Sequence, residues 1–338
     1  MEGYRSRVRG CLLGGAVGDA LGWPVEFLSL AEMDGLVGPG SAPVGEVTDD
    51  TQMTLFTAEG LIRASVRMDR GVCHPPSVVH RAYLRWLETQ TLPAPPPQPD
   101  GWLASQTWLY ARRAPGNACL SGLSGAGMGT PSSPANPSSK GCGAVMRSAP
   151  FGLTPQSSPR DAFDFAVECA VQTHGHPSGY LAAGAFAAMV RTLLDGVTLD
   201  LAVAGALDLL PGDDEVTAAL RAALAAVPLD GPSDVERLGA GWVAEEALAV
   251  GVACALTHPG DLRAALLLAV THSGDSDSTG SICGNLLGTL GGEDAVPSDW
   301  AASVEGRDTI LSLADDFVAE FGPNPRRAGR WGDRYPGG

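Results

Sequence analysis

Residues 269–288 read AVTHSGDSDSTGSICGNLLG, and two features of this stretch organise the whole chain. Its first half sets carboxylates at Asp275 and Asp277 and hydroxyls at Ser276, Ser278 and Thr279 in front of a helical segment. Its second half spaces Gly280, Gly284 and Gly288 four apart, which makes one stripe of small residues along that helix. A glycine inside a helix costs about 1 kcal/mol relative to alanine, so a row of them needs a packing reason. Close approach of another helix supplies one. Residues 4–22 read as a helix with the same device, Gly10, Gly14 and Gly18, with Cys11, Gly15, Asp19 and Gly22 beside it. The two helices are predicted to be neighbours in a buried centre.

The acidic half has a plain reading as a capped helix start, in which Asp277 or Ser278 accepts backbone N–H groups and Asp275 favours the positive end of the helix dipole. Capping uses one side chain, however, and four oxygen-bearing residues in a row follow Asp275. Such a cluster suits a small oxygen cage for a hard divalent cation. A second stretch, residues 46–54 (EVTDDTQMT), likewise packs hydroxyls and carboxylates ahead of an apolar segment. If both helix starts converge, four aspartates and at least two hydroxyls surround one volume, which is strongly unfavourable without compensating cations. Oxygen ligands without a matching His or Cys set favour Mg²⁺ or Mn²⁺ over zinc.

The bulk properties narrow the class. A chain of 338 residues, 44% hydrophobic, can bury a substantial core. Its net charge of −16 repels phosphates, so bulk nucleic-acid binding is not expected. The seven cysteines show no CxxC pairing, which suits a reduced compartment. The apolar run after Arg5, Arg7 and Arg9 is cut by Gly14, Gly15, Gly18 and Asp19, unlike a signal peptide, and no membrane span follows. A soluble, cytoplasmic protein that does not engage membranes, and a monomer, is the expectation.

Helices are predicted from Thr51 onward, over 78–87, with helical character over 102–113, and then at 160–173, 180–194, 198–210, 213–226, 240–257 and 261–271. No run of alternating strands appears, so the fold class is all-α. The proline-rich segment 91–100 reads as a stiff connector and the Gly/Ser/Pro stretch 121–141 as a long functional or mobile loop, both within one domain, 1–321. Residues 322–338, with Arg326, Arg327 and Arg330, read as a tail with room for partial disorder. Asp19 is expected to be a structural hydrogen-bonding carboxylate, and Glu26, in a loop after Pro24, is free to reach a pocket. Small residues around Gly141, Cys142 and Gly143 would let backbone N–H groups approach an anion. His174 is expected to hydrogen-bond a ligand or backbone, and His176 to be structural.

Five stretches taken in order, residues 10–27 (GCLLGGAVGDALGWPVEF), 47–54 (VTDDTQMT), 140–150 (KGCGAVMRSAP), 173–180 (THGHPSGY) and 271–288 (THSGDSDSTGSICGNLLG), resemble the ADP-ribosylglycohydrolases, a family that includes the dinitrogenase-reductase-activating glycohydrolases. The resemblance spans roughly residues 4–320. It implies a compact, orthogonal multi-helix bundle with two Mg²⁺ or Mn²⁺ ions at the base of a cleft. By the same resemblance Thr48, Asp49 and Asp50 would supply one side of the metal site and Asp275, Asp277 and Ser278 the other, with Asp277 bridging. Gly116 and Asn117, together with the loop containing Gly141, Cys142, Gly143, Ala144 and Met146, would hold the distal ribose and pyrophosphate, and His174, Gly179 and Tyr180 would line the same pocket. Glu26 stands where some relatives carry a gating or proton-handling glutamate. Where some relatives have Asn-Gly this chain has Cys142-Gly143, and the 121–139 insert is outside the shared pattern.

The implied reaction is hydrolysis of the N-glycosidic bond of a mono-ADP-ribosylated macromolecule, ADP-ribosyl-arginine first, with release of ADP-ribose. Glu26, Asp49 and Asp277 are the catalytic candidates, with Asp49 or Glu26 as general base. The competing readings are hydrolysis of another ADP-ribose conjugate (modified nucleobase, serine or O-acetyl-ADP-ribose), a two-metal phosphohydrolase, and a non-catalytic ADP-ribose-binding relative. The phosphohydrolase would bring metal-spaced histidines that this chain lacks.

Overall fold

The computed structural model describes residues 2–33, 44–323 and 331–336. Its longer helices are α1 (Glu2–Gly22), α2 (Asp49–Met68), α3 (Pro75–Thr89), α4 (Pro159–Ala170), α5 (Pro177–Leu194), α6 (Leu199–Leu207), α7 (Glu215–Ala226), α8 (Ala244–Thr257), α9 (Leu262–Val270), α10 (Ser276–Gly291) and α11 (Arg307–Phe321). Helix starts follow local chemistry. Proline stands in the first turn of α3, α4 and α5, where its missing N–H has no helical partner to lose. Thr48, Ser158, Asp214, Asp261 and Asp275 each accept a first-turn backbone N–H. Among the described residues the only β pairings are isolated bridges, Thr130 with Ser133 and Gly141 with Val243, so the fold is all-α.

Helices α1 and α10 form the centre. Gly14 faces Gly284, Gly10 faces Gly288 and Gly18 faces Gly280, each backbone lying against the other helix's carbonyls. Numbers rise along α1 as they fall along α10, so the pair is antiparallel. A Cβ on Gly14 would come 2.5 Å from the Gly284 carbonyl oxygen. From Gly10 to Gly22 every residue of α1 is buried, as in a helix enclosed on all sides. Helices α5, α8 and α9 pack on α10, and α2 and α11 pack on α1. Arg5 and Arg9 brace α1 to α11 through Asp315 at 2.8 and 2.7 Å. No helix among the described residues is long and apolar enough to cross a membrane.

Two segments differ from expectation. The predicted helical character over 102–113 reduces to two short 3₁₀ turns, Leu103–Ser105 and Thr107–Tyr110, separated by Gln106 in an extended conformation. Tertiary contacts explain the break: the Trp102 ring lies under the Arg334 guanidinium at 3.4 Å, while Trp108 Nε1 donates to Thr309 Oγ1 at 3.2 Å on a different element. Helix α11 had no counterpart in the sequence reading. Of the C-terminal segment, Arg326, Arg327 and Arg330 lie outside the described residues. Residues 331–336 form a short turn of helix and dock, with Tyr335 buried and its hydroxyl donating to Asp316 at 2.6 Å.

The glycine contacts predict opposite signs for one substitution at two places. Gly14→Ala should destabilise by about 1–3 kcal/mol, because a backbone carbonyl cannot retreat as a side chain can and the overlap outweighs the gain in helix propensity. Gly205→Ala, in α6 with nothing within 4 Å of the added methyl, should stabilise by up to about 1 kcal/mol. Thermal or urea unfolding of the two variants decides it.

A pH dependence follows from the brace. Burial alone would raise the Asp315 carboxyl, but the hydrogen bonds and charges of Arg5 and Arg9 outweigh it and hold it down to about 2. A depressed carboxyl contributes stability above its unfolded value of about 4 and loses it on the way down to its folded one. Asp315→Asn should therefore cost about 1 kcal/mol or less at neutral pH, allowing for solvent screening, with the deficit closing as the pH drops below about 4 in paired melting curves.

Candidate active site

The antiparallel centre brings the end of α1 against the start of α10. Gly22 lies directly on the Ser276–Asp277 backbone, with no room for a Cβ. The chain leaves α1 through a 3₁₀ turn, Trp23–Val25, with Pro24 inside it, and presents Glu26 beside the first turn of α10. Asp19, one turn earlier, recruits the start of α2. Its carboxylate accepts the Thr48 N–H at 3.0 Å, the Thr48 hydroxyl at 2.9 Å, the Thr51 N–H at 3.0 Å and the Thr51 hydroxyl. Asp19 thus acts as a cap from a distant helix, and it delivers Asp49 and Asp50 to the same place.

A loop clamps the opposite side of Asp275. The Asp275 N–H donates to the Ala240 carbonyl at 2.8 Å, and Gly274 (φ +148°) packs so tightly on Ala240 that no side chain fits. Gly241 (φ +79°) rests against the Asp275 Cβ, and Trp242 follows it. Backbone bonds from Cys142 N–H to Trp242 O at 3.3 Å and from Ala244 N–H to Lys140 O at 2.8 Å pin the Gly141–Met146 stretch to this loop.

These segments enclose a cleft of about 540 Å³. Glu26, Asp49, Asp50, Asp275, Asp277 and Ser278 line its floor. Gly116, Asn117, Gly141, Cys142, Gly143, Met146 and His174 line its walls. The remaining candidates stand behind the surface. Thr48 is buried, donating to Asp19. Ala144 is fully buried, Tyr180 packs on it with Ala170 and Ala183, and Gly179 seats the His174 side chain, where an added Cβ would fall 3.1 Å from the His174 Cβ. Residues 34–43 lie outside the described residues, and of the 121–139 insert only Ser139 lines the cleft. The rest of that insert is tied to the His174 segment, Asn136 Nδ2 donating to the Ala118 and Thr173 carbonyls at 3.0 Å and Ala135 N–H to Val171 O at 2.9 Å.

The floor is electrostatically strained. Oxygens of Glu26, Asp275 and Asp277 lie within 4.8 Å of one another, all three buried. Burial first, then the charges of Asp275, Asp49 and Asp19, push the Glu26 carboxyl up to about 8. Burial and neighbouring carboxylates also raise Asp49, Asp50 and Asp277 well above the usual range. Glu26 Oε2 and Asp50 Oδ1 are buried with no hydrogen-bond partner among the described residues. Unpartnered buried oxygens within an acidic ring are what a hard cation satisfies, so these residues fit divalent metal binding. One further atom joins the ring: the Cys142 thiol donates to Asp275 Oδ2 at 2.8 Å, so the donors at the floor are not oxygen alone.

Sequence reading missed the rim. Phe27 and Trp242 stack at 5.6 Å and 23° over the mouth of the cleft, both well exposed, and Arg112 lies in the wall. Phe27 was legible only as the neighbour of Glu26. Trp242 comes from a loop more than 200 residues away, and no spacing rule could have joined the two.

Comparison with known proteins agrees with this geometry. The family model for ADP-ribosylglycohydrolase matches residues 1–327. An ADP-ribosyl-[dinitrogen reductase] glycohydrolase of Rhodospirillum rubrum is 25% identical, covering 91% of this chain and 96% of its own length. ADP-ribosylarginine hydrolase Tri1 of Pseudomonas putida is also 25% identical, over 92% of this chain and 77% of its own. An uncharacterized protein of Archaeoglobus fulgidus is 28% identical, over 91% and 94%. A solved structure described as an ADP-ribosylglycohydrolase-related protein complex superimposes with a TM-score of 0.64 at 27% identity, covering 93% of this chain and 97% of that one. With the match running over nearly its whole length and on an all-α frame of the same shape, the chain belongs to the ADP-ribosylglycohydrolase family.

Proposed function

We propose that this enzyme hydrolyses the N-glycosidic bond of ADP-ribosyl-arginine on a modified protein, releasing ADP-ribose, with two Mg²⁺ or Mn²⁺ ions held at the cleft floor. The observation that carries the reading is the convergence of Glu26, Asp49, Asp50, Asp275 and Asp277 on one buried volume with two oxygens unpartnered. Asp49, Asp50, Asp275 and Asp277 would hold the ions together with the Ser278 and Thr48 hydroxyls. Thr48 suits that role because its proton goes to Asp19 and only one of its lone pairs is taken, by the Asp50 N–H at 3.3 Å, which leaves the other for a cation. When bound, the ions supply Lewis acidity that polarises the ribose hydroxyls and acidifies a nearby water.

The chain's own groups do the rest. Hydrolysis at C1″ builds oxocarbenium character, so the ribose must be oriented and a water deprotonated next to it. Asp49 or Glu26 would take that proton, a reading supported by the unpartnered buried oxygen of Glu26 and by the Gly116 N–H that holds Asp49 at 3.3 Å. Backbone around Gly141, Cys142 and Gly143, with His174, would grip the diphosphate and distal ribose. At the rim, the Phe27 and Trp242 faces beside Glu26 suit a planar cation, which favours a guanidinium leaving group over a neutral hydroxyl. The single domain, 1–321, would act as a monomer.

The test uses the purified protein with ADP-ribosyl-arginine, ADP-ribosyl-serine and O-acetyl-ADP-ribose. ADP-ribosyl-arginine should be cleaved fastest, to ADP-ribose and with no AMP. Chelation should abolish turnover and added Mg²⁺ or Mn²⁺ restore it. Asp277→Ala and, separately, Asp49→Ala should each lower turnover by about 10²–10⁴-fold or more with unfolding curves unchanged in shape. Near-wild-type turnover in either variant would remove the metal-site assignment, and AMP as product would transfer the enzyme to phosphoryl chemistry.

A further inference from the structure

Behind the wall of the cleft lies an arginine without an acid. Arg147 is 1% exposed, and among the described residues no carboxylate pairs with it. Its guanidinium stacks over the Tyr83 ring at 4.3 Å and reaches the Cys119 and Met53 sulfurs at 3.3 and 3.5 Å. It donates to the Thr173 hydroxyl at 2.7 Å. A buried, unpaired charge is costly, several kcal/mol by the usual reckoning, and a neutral side chain would fill the space without that cost.

The hydrogen-bond directions show what the charge arranges. A guanidinium only donates, so Thr173 Oγ1 accepts from Arg147 and its own proton must go elsewhere. Two acceptors are in reach, His174 Nδ1 at 2.8 Å and the Ala170 carbonyl at 3.4 Å. The Ala170 carbonyl already accepts the backbone N–H groups of Thr173 at 3.0 Å and His174 at 2.9 Å, which fills its two lone pairs. The hydroxyl proton therefore points to His174 Nδ1. A ring that accepts at Nδ1 and is neutral carries its proton on Nε2. Burial first, and then the Arg147 charge, press the imidazole down to about 3, so it stays neutral.

The Nε2 edge faces the cleft. His174 lines it, and a Cβ added to Gly143 would fall 3.2 Å from Nε2 and 3.0 Å from Cε1, so the Gly143 backbone passes against the ring. We infer that Arg147 is a positioning residue which, through the Thr173 hydroxyl, locks His174 as the neutral Nε2–H tautomer and so aims one permanent hydrogen-bond donor at an oxygen of ADP-ribose beside residues 141–143. The ligand half of this inference rests on the reading of the cleft as an ADP-ribose site; the tautomer half does not. The same chain of contacts assigns Thr173 a task, since only a hydroxyl can accept from the guanidinium and donate to the ring at once.

The experiment reads both halves on the full-length protein. Nitrogen-15 spectra of histidine-labelled protein at neutral pH, with His174 among six histidines assigned through His174→Gln, should show a pyrrole-type Nε2 and a pyridine-type, hydrogen-bonded Nδ1. Thr173→Val should shift the Nδ1 resonance as its bond is lost and weaken ADP-ribose binding about tenfold in calorimetry, while Thr173→Ser retains both signatures. A His174 ring found in the Nδ1–H form or doubly protonated overturns the lock, as does a Thr173→Val protein indistinguishable from wild type in spectrum and affinity. Should Thr173→Val fail to fold, the wild-type and Thr173→Ser spectra decide the tautomer on their own. Wild-type protein that shows the Nε2–H ring yet binds no ADP-ribose would leave the lock standing and bring down the reading of the cleft instead.

Discussion

Two backbones in contact govern this structure. Because α1 and α10 meet glycine against glycine, their axes come closer than side chains would allow, and because they run antiparallel, the end of one lies at the beginning of the other. Everything at the cleft floor follows from that end-to-start meeting. Glu26 leaves α1 where Asp275 and Asp277 open α10.

The second constraint is the charge this convergence creates. Burying several carboxylates together is unfavourable, and the fold answers it partly with dipoles and partly with hydrogen bonds. Asp275 caps α10 and Asp277 stands in its first turn, while Asp49 and Asp50 stand in the first turn of α2, each near the positive end of a helix dipole. Asp19 is fully satisfied by Thr48 and Thr51, which is why it serves as a joint between helices rather than a ligand. Among the acids lining the cleft, Glu26 and Asp50 each keep one buried oxygen without a hydrogen-bond partner among the described residues.

The walls work differently from the floor. There the polypeptide contributes small residues and backbone beside the Arg112, Asn117 and His174 side chains, with a second cation, Arg147, buried one layer back. The long insert that composition marks as a loose loop proves to be a brace, its Asn136 tying α5's approach to the Thr173 carbonyl. An acidic floor, a wall of backbone and small residues that also carries Arg112, and an aromatic rim give three chemically distinct zones within one cleft.

Much of this was readable beforehand, and for a physical reason. Helix periodicity, prolines and caps are local, so most helices were predicted within a few residues, and the matched glycine stripes at spacing four announced which two helices touch. The acidic pairs at Asp49–Asp50 and Asp275–Asp277 were visible because each is a local excess of oxygen beyond what a cap needs. Tertiary structure alone decided what depends on distance: that Asp19 joins α1 to α2, that the Cys142 thiol stands against Asp275, that Trp242 meets Phe27, and that Arg147 has a hydroxyl rather than an acid for company. Those pairings are separated by tens to hundreds of residues and carry no periodic signal, since each is set by where a rigid helix happens to deliver its end. The broken 102–113 segment makes the same point in reverse, local propensity yielding to two tryptophans that find partners on different elements.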